Sequence, residues 1–176
     1  MKTKNKNSIF ITILFILIAF WIFEISNEIP QNEEKFDKEI SGIANITDGD
    51  TIKIAEKRIR LIGIDAPESK QNCFDTNNRE YACGKASTDF IKNLADKKFV
   101  ICKYEKLDIY KRYLGECFID DTSINQEMVR NGMAVIYSFG KTNKKMLAIQ
   151  NEAKENKRGM WCGKFELPAN YRKRNR

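Results

Sequence analysis

Short runs in which hydrophobic and polar positions alternate are interspersed along the chain with runs in which hydrophobic residues recur at helical spacing. Ile52 and Ile54 alternate with polar neighbours, Glu56-Lys57 supplies a turn, and residues 58–64 run back, the pattern of a β-hairpin. Residues 39–47 read as a strand ahead of the hairpin; residues 99–104 and 113–119 read as two more after it. Between them, Ala86, Phe90, Ile91 and Leu94 share one face of a predicted helix over 85–96. A short helix over 125–131 is stopped by Gly132, and Met146, Leu147, Ile149 and Ala153 predict a third helix over 144–156. The polar stretch 69–81 reads as loop and 134–138 as a brief extended piece. Five strands with helices interspersed in this order predict an α+β domain built on a small Greek-key barrel.

The amino-terminal end breaks the pattern. Lys2, Lys4 and Lys6 precede an apolar stretch, residues 9–23, interrupted only by Thr12 and closed by Glu24. Such a stretch is short for a bilayer span but within reach if flanking lysines snorkel, and it also suits a signal-peptide core. No small-residue cleavage site follows it. Residues 1–25 are therefore expected to be an uncleaved signal anchor meeting the membrane through residues 8–24, with a cleaved signal peptide as the alternative. Acidic residues dominate 24–39, so the positive-inside tendency keeps the amino terminus cytoplasmic and exports the remainder. The expected location is the periplasmic or extracellular face of the cytoplasmic membrane, or the medium if the signal is cleaved. Residues 26–38, polar and holding Pro30, read as a tether, 39–167 as one domain and 168–176 as a basic tail.

Cysteine usage bears on the same question. Cys73 and Cys83 bracket a polar loop, while Cys102 and Cys117 lie on two strands equidistant from their connecting turn. Both pairs suit disulfides, which belong to oxidising compartments. Cys162 is left as a buried thiol or an odd partner, and five unpaired thiols in a cytoplasmic domain is the alternative. The formal charge of +7 is concentrated at the ends, in the three early lysines and in Arg172, Lys173, Arg174 and Arg176. The part between is close to neutral, so phosphate binding has to be local to a site, and the tail reads as a solvated end. There is no histidine. Ser-His-Asp and Cys-His catalysis and histidine metal sites are thereby excluded, which leaves carboxylates, lysine and tyrosine for proton chemistry.

Carboxylates do cluster. Asp48-Gly49-Asp50-Thr51 opens the hairpin and Arg60-Leu61-Ile62-Gly63-Ile64-Asp65-Ala66-Pro67-Glu68 closes it, so antiparallel pairing is expected to set Asp50 opposite Asp65. Two carboxylates so close repel unless a cation lies between them, and hard oxygens suit Ca²⁺ or Mg²⁺. Arg60 points from the same strand with a guanidinium fork that matches phosphate. Metal, arginine and the further carboxylate of Glu68 are the parts of a phosphodiester hydrolase.

With Asp108-Ile109-Tyr110-Lys111-Arg112, Met128-Val129-Arg130-Asn131-Gly132-Met133-Ala134 and Gly159-Met160-Trp161 following in order, the chain resembles the staphylococcal nuclease family over residues 39–167. The resemblance implies an OB-fold barrel carrying three helices. It implies a Ca²⁺-dependent nuclease that cleaves single- or double-stranded DNA and RNA with little sequence preference and leaves 3′-phosphate ends; the chain is expected to be a monomer. The implied metal ligands are Asp50, Asp65 and the carbonyl of Ala66, where the family more often has threonine. Arg60 and Arg112 are the implied phosphate clamps, and Glu68 the group that activates or orients water. Tyr110, Lys111, Tyr137 and Phe139 are candidate substrate contacts. Around Arg112 the family usually has glycine on both sides, whereas Lys111 and Tyr113 stand here. Trp161 is expected in the core. Two other readings follow from the same residues: a non-catalytic OB-fold module that binds single strands or a protein, and a scaffold domain with a structural divalent ion.

Overall fold

Five strands account for most of the architecture. A computed structural model of the chain describes residues 36–137 and 143–175. Strand β1 (Lys38–Asp48) turns Ile40 and Ala44 inward and leaves Glu39, Ser41 and Asn45 outside. It pairs antiparallel with β2 (Thr51–Ile54), which pairs with β3 (Lys57–Leu61), setting Ile52 opposite both Ile46 and Ile59. On its other edge β1 pairs with the later strand β7 (Phe99–Leu107), and β7 pairs with β8 (Tyr113–Ile119). A parallel contact between β3 and β8 (Ile59 with Tyr113, Leu61 with Gly115) closes the sheet into a five-stranded barrel. Closure removes the sheet edges and buries Ile52, Ile59, Leu61 and Val100 inside. The expected OB-type α+β fold is the one observed.

Between Leu61 and β7 the chain leaves the barrel. It forms β4 (Ile64–Asp65), a two-stranded hairpin of β5 (Cys73–Phe74) and β6 (Glu80–Tyr81), and helix α1 (Cys83–Ala95). After β8 come the short β9 (Thr122–Ser123), helix α2 (Ile124–Arg130) capped by the Ser123 hydroxyl, β10 (Val135–Ile136), and helix α3 (Lys144–Glu155) capped by Asn143. A 3-10 turn over Gly159–Cys162 and a last helix, α4 (Pro168–Arg174), complete the described part. Ile91, Ile124, Met128 and Val129 from the helices seal the barrel's apolar interior. Trp161, expected in the core, packs against a second core cluster and not the barrel's interior. It is half-buried in a separate cluster with Met160 and the Cys73–Cys83 pair, its ring edge-on to Phe165 at 4.9 Å and beneath Lys154.

Three expectations are corrected. The first hairpin turns at Ala55-Glu56, because Ile54 pairs with Lys57 and Ala55 adopts the left-handed conformation that so tight a turn requires. The strand expected over 58–64 stops at Leu61. Ile64 and Asp65 instead pair with Ile136 and Val135 of β10, so the two aspartates are not partners across one hairpin. The loop expected over 69–81 contains the β5–β6 hairpin, which is held to α1 by a disulfide.

Both expected disulfides are present. Cys73 and Cys83 lie 5.6 Å apart at Cα, and Cys102 and Cys117 sit directly opposite on β7 and β8, 4.0 Å apart. Cys162 is a free, half-buried thiol. Among the described residues no helix is long and apolar enough to cross a membrane, and the expected anchor at residues 8–24 lies outside them.

The Cys102–Cys117 bond joins two buried positions 15 residues apart in sequence, a loop whose closure constrains the unfolded chain by about 3 kcal/mol. Replacing both cysteines by serine should lower the unfolding free energy by about that amount, read as a lower urea midpoint with the slope little changed.

Candidate active site

The turn between β1 and β2 is organised by its own aspartates. The Asp48 carboxylate accepts from the Asp50 amide at 3.0 Å, the local bond for which Asp is favoured in turns. Gly49 lies against α1 and the segment after β4: a Cβ there would sit 2.5 Å from the Ser87 hydroxyl and 2.7 Å from the Ala66 methyl. Only glycine allows that approach, which draws the Asp50 carboxylate over the Ala66 backbone. Asp50 Oδ2 accepts from the Ala66 amide at 3.1 Å.

Asp65 arrives from a different direction. Its β4 backbone pairs with Val135 of β10, and the next residue of β10, Ile136, donates its amide to Gln150 Oε1 on α3 at 2.8 Å. Just upstream, the buried Asn125 of α2 donates to the Ile62 carbonyl at 2.9 Å and accepts from the Cys117 amide at 3.1 Å, tying the end of β3 to β8. Asp65 is 1% exposed. A carboxylate so deeply buried needs cations and hydrogen-bond donors around it.

Arg60 supplies one. Its Nη2 donates to Asp65 Oδ1 at 3.0 Å, while Nη1 contacts the Asp50 carboxylate and the Asp50 carbonyl. One guanidinium therefore spans both aspartates. Burial lowers the pKa of Arg60, Asp65 and Asp48 oppose that shift, and the positive fields of Arg112 and Arg172 add to it. An arginine stays charged through such shifts, so Arg60 carries its charge in the field of two further guanidinium groups.

Glu68 stands on the loop after Pro67. Its amide donates to Gln71 Oε1 at 3.2 Å, and its carbonyl accepts from the Gln71 amide at 2.7 Å. The loop rests directly on α1, where a Cβ on Gly84 would fall 1.8 Å from the Glu68 carbonyl oxygen.

Arg112 ends the β7–β8 connection and is oriented by Asp108. The Asp108 carboxylate takes the Arg112 Nε at 2.8 Å and Nη2 at 2.7 Å, and also the amides of Tyr110 and Arg112, both at 2.9 Å. Lys111 has φ 59°, the left-handed conformation that glycine would adopt more easily. The turn survives the absence of glycine because Asp108 closes it. Burial pushes the Asp108 carboxyl up, but the hydrogen bonds from Arg112 and Tyr110 outweigh that and hold it below its ordinary value.

The structure thus brings Asp50, Arg60, Asp65 and Glu68 to one end of the barrel, with Arg112 near enough to act on Arg60. Other expected residues are placed differently. Tyr110, 66% exposed, is at the tip of the β7–β8 loop beside Lys111, its ring 5.4 Å from the Arg112 guanidinium. Tyr137 is half-buried and its amide donates to the Gly63 carbonyl. Phe139 lies outside the described residues. Ala66 contributes its amide, to Asp50.

Sequence reasoning missed Arg172. The end expected to be solvated is helix α4, and Arg172 reaches from it to both Asp65 and Glu68. The available signal was Pro168, which occupies the first turn of that helix, a favoured proline position.

Among the described residues no three Asp, Glu, Cys or His groups are gathered as a cation cluster. The donor set that fits a divalent ion is smaller: the Asp50 and Asp65 carboxylates, converging on one guanidinium, with backbone and water oxygens to complete it. Hard oxygens without sulfur or imidazole suit an alkaline-earth ion rather than zinc.

The molecule is thus a closed five-stranded OB-type barrel with an arginine-bridged pair of carboxylates at one end. Residues 58–163 match the family model described as staphylococcal nuclease homologue, and the chain belongs to that family, a family of nuclease hydrolases. It is similar to an uncharacterized endonuclease of Escherichia coli, 37% identical over 131 residues, covering 72% of this chain and 79% of that one. It is also similar to the thermonuclease of Staphylococcus intermedius, 29% identical over 154 residues, covering 82% and 89%. A third relative, the succinoglycan biosynthesis protein ExoI of Rhizobium meliloti, is 37% identical over 125 residues, covering 69% and 64%.

Two outcomes follow. Gly84→Ala should displace the Glu68 backbone, lowering stability by about 1–3 kcal/mol through overpacking and nucleic-acid cleavage by on the order of a hundredfold. Thermal melts and rates on the same sample test this. Because the folded-state pKa of Asp108 is depressed, the stability it contributes is present above about pH 4 and is lost as pH falls through the folded value. Asp108→Asn should therefore lower the melting temperature at neutral pH, and the difference from the parent chain should shrink in acid.

Proposed function

We propose that the chain is a Ca²⁺-dependent nuclease that hydrolyses DNA and RNA with little sequence preference and leaves 3′-phosphate ends. The observation that carries this reading is Arg60 spanning Asp50 and Asp65 beside Glu68. Asp50 and Asp65 would hold the ion, with the Ala66 carbonyl as a further oxygen ligand. A bound divalent cation supplies charge neutralisation at a non-bridging phosphate oxygen. Arg60 and Arg112 stabilise the charge that builds on the equatorial oxygens as water attacks, and they do so more strongly than in the ground state. Asp108 keeps Arg112 aligned for that task, which limits reorganisation during the reaction. Glu68 orients the attacking water. Tyr110 and Lys111, exposed at the loop tip beside Arg112, would meet a base and a phosphate of the strand. Tyr137 and Phe139 complete the proposed substrate contacts.

We also propose that the domain works outside the cytoplasm as a monomer, held to the membrane by residues 8–24 unless that segment is removed. The two disulfides support an oxidising location.

The test is cleavage of single-stranded DNA by the full chain under oxidising conditions. Cutting should require millimolar-range Ca²⁺, stop on chelation, and fall by about 10²–10³ in Arg60→Ala. A folded, calcium-loaded chain that binds DNA without cutting it would sink this reading in favour of a binding module.

A further inference from the structure

Helix α4 and the residues leading to it are tied to the loop that carries Glu68 and to the hairpin after it. Gln71 Nε2 donates to the Glu166 carbonyl at 2.7 Å, and the Tyr171 hydroxyl donates to the Lys70 carbonyl at 3.2 Å. Lys164 pairs through its backbone with Phe74 of the hairpin that the Cys73–Cys83 disulfide clips to α1. Arg172 is thus delivered by an anchored helix. Its Nη2 donates to Asp65 Oδ2 at 2.9 Å, and its Nη1 is shared between Asp65 Oδ1 at 2.9 Å and Glu68 Oε1 at 2.8 Å.

We propose that Arg172 is a positioning residue for the hydrolysis: it ties Glu68 to Asp65, keeping the Glu68 carboxylate at the attacking water and out of the metal's ligand set. This rests on the nuclease reading above. Two carboxylates within reach of one nitrogen repel each other unless a cation is shared between them. Arg172 is that shared cation, and it satisfies Asp65 through both oxygens while committing only one nitrogen to Glu68. The Glu68 side chain is 40% exposed on a surface loop, so without this bond its rotamers are open. Arg60 bonds the same Asp65 oxygen, Oδ1, that Arg172 Nη1 bonds, so the two guanidinium groups meet at that atom and both hold Asp65 in place.

Removing Arg172 should change metal binding and catalysis in opposite senses. A positive charge leaves the site and a carboxylate becomes available to the ion, and calcium affinity rises with ligand charge. Turnover falls, because a carboxylate bound to the ion no longer directs water. A helix contact serving only stability would move both in the same sense or neither.

The experiment uses the full chain and Arg172→Gln, with Arg174→Gln as control, since Arg174 pairs with Glu166 at the surface. Calcium is titrated calorimetrically without nucleic acid, and kcat and KM are measured on single-stranded DNA. The expected result for Arg172→Gln is calcium binding on the order of tenfold tighter, kcat roughly a hundredfold lower and KM little changed, with Arg174→Gln unaltered. Arg172→Lys should also fail to restore kcat, because one ammonium cannot reproduce the planar fork; it stands in if the glutamine variant does not fold. A folded variant with parental or higher kcat, or with weaker calcium binding, would overturn the proposal. If the parent chain does not cut, the nuclease reading fails instead, and the calcium titration alone then decides whether Arg172 holds Glu68 from the ion.

Discussion

A buried carboxylate sets the terms for this end of the molecule. Asp65 is almost wholly enclosed, and an ion in that position is tolerated only where cations and donors surround it. Arg60 from the barrel wall and Arg172 from the last helix both bond it, and Arg60 reaches on to Asp50 while Arg172 reaches on to Glu68. The five groups form one connected set of charges. Each is held where it is partly by the requirement that Asp65 be neutralised.

The rest of the fold delivers these groups along separate routes. Arg60 rides on β3, whose place in the barrel is set by Ile59 and Leu61 packing inward on either side of it. Asp65 depends on β10, and through Gln150 on α3. Glu68 depends on the close approach of its loop to α1, and Arg172 on the hairpin and disulfide that fasten the C-terminal segment. An active site assembled from four routes is rigid only if each is independently tight. That accounts for polar ties as buried as Asn125 and Gln71, both with their side-chain amides bonded at the junctions.

The β7–β8 loop shows how a motif tolerates a change in its residues. Without glycine on either side of Arg112, Lys111 takes the left-handed conformation itself, and Asp108 offsets the cost by accepting from two amides and the guanidinium. Tyr113, in place of the second glycine, begins β8 and lays its ring edge-on against Tyr104 at 4.9 Å. The arginine is anchored without flanking glycines, because the anchor is the Asp108 side chain within the same turn.

Local pattern was enough to read the five barrel strands, three of the helices, both disulfides and the identity of most groups at the site. Each of those rests on residues near one another in sequence: alternation along a strand, a helical face, cysteines equidistant from a turn, and Asp-Gly-Asp-Thr followed by Arg60 and Asp65. Pairing across distant segments was not legible. That β3 ends at Leu61 and Asp65 belongs with Val135 is a choice between partners 70 residues apart, which neither strand's own pattern expresses. Arg172 is the clearest case. As text it is one cation in a basic end, and its partners are Asp65 and Glu68, more than a hundred residues away. Charge composition is a sum over the chain, whereas an ion pair depends on where the fold sets two particular groups, and only the closed barrel with α4 docked on the Glu68 loop decided that.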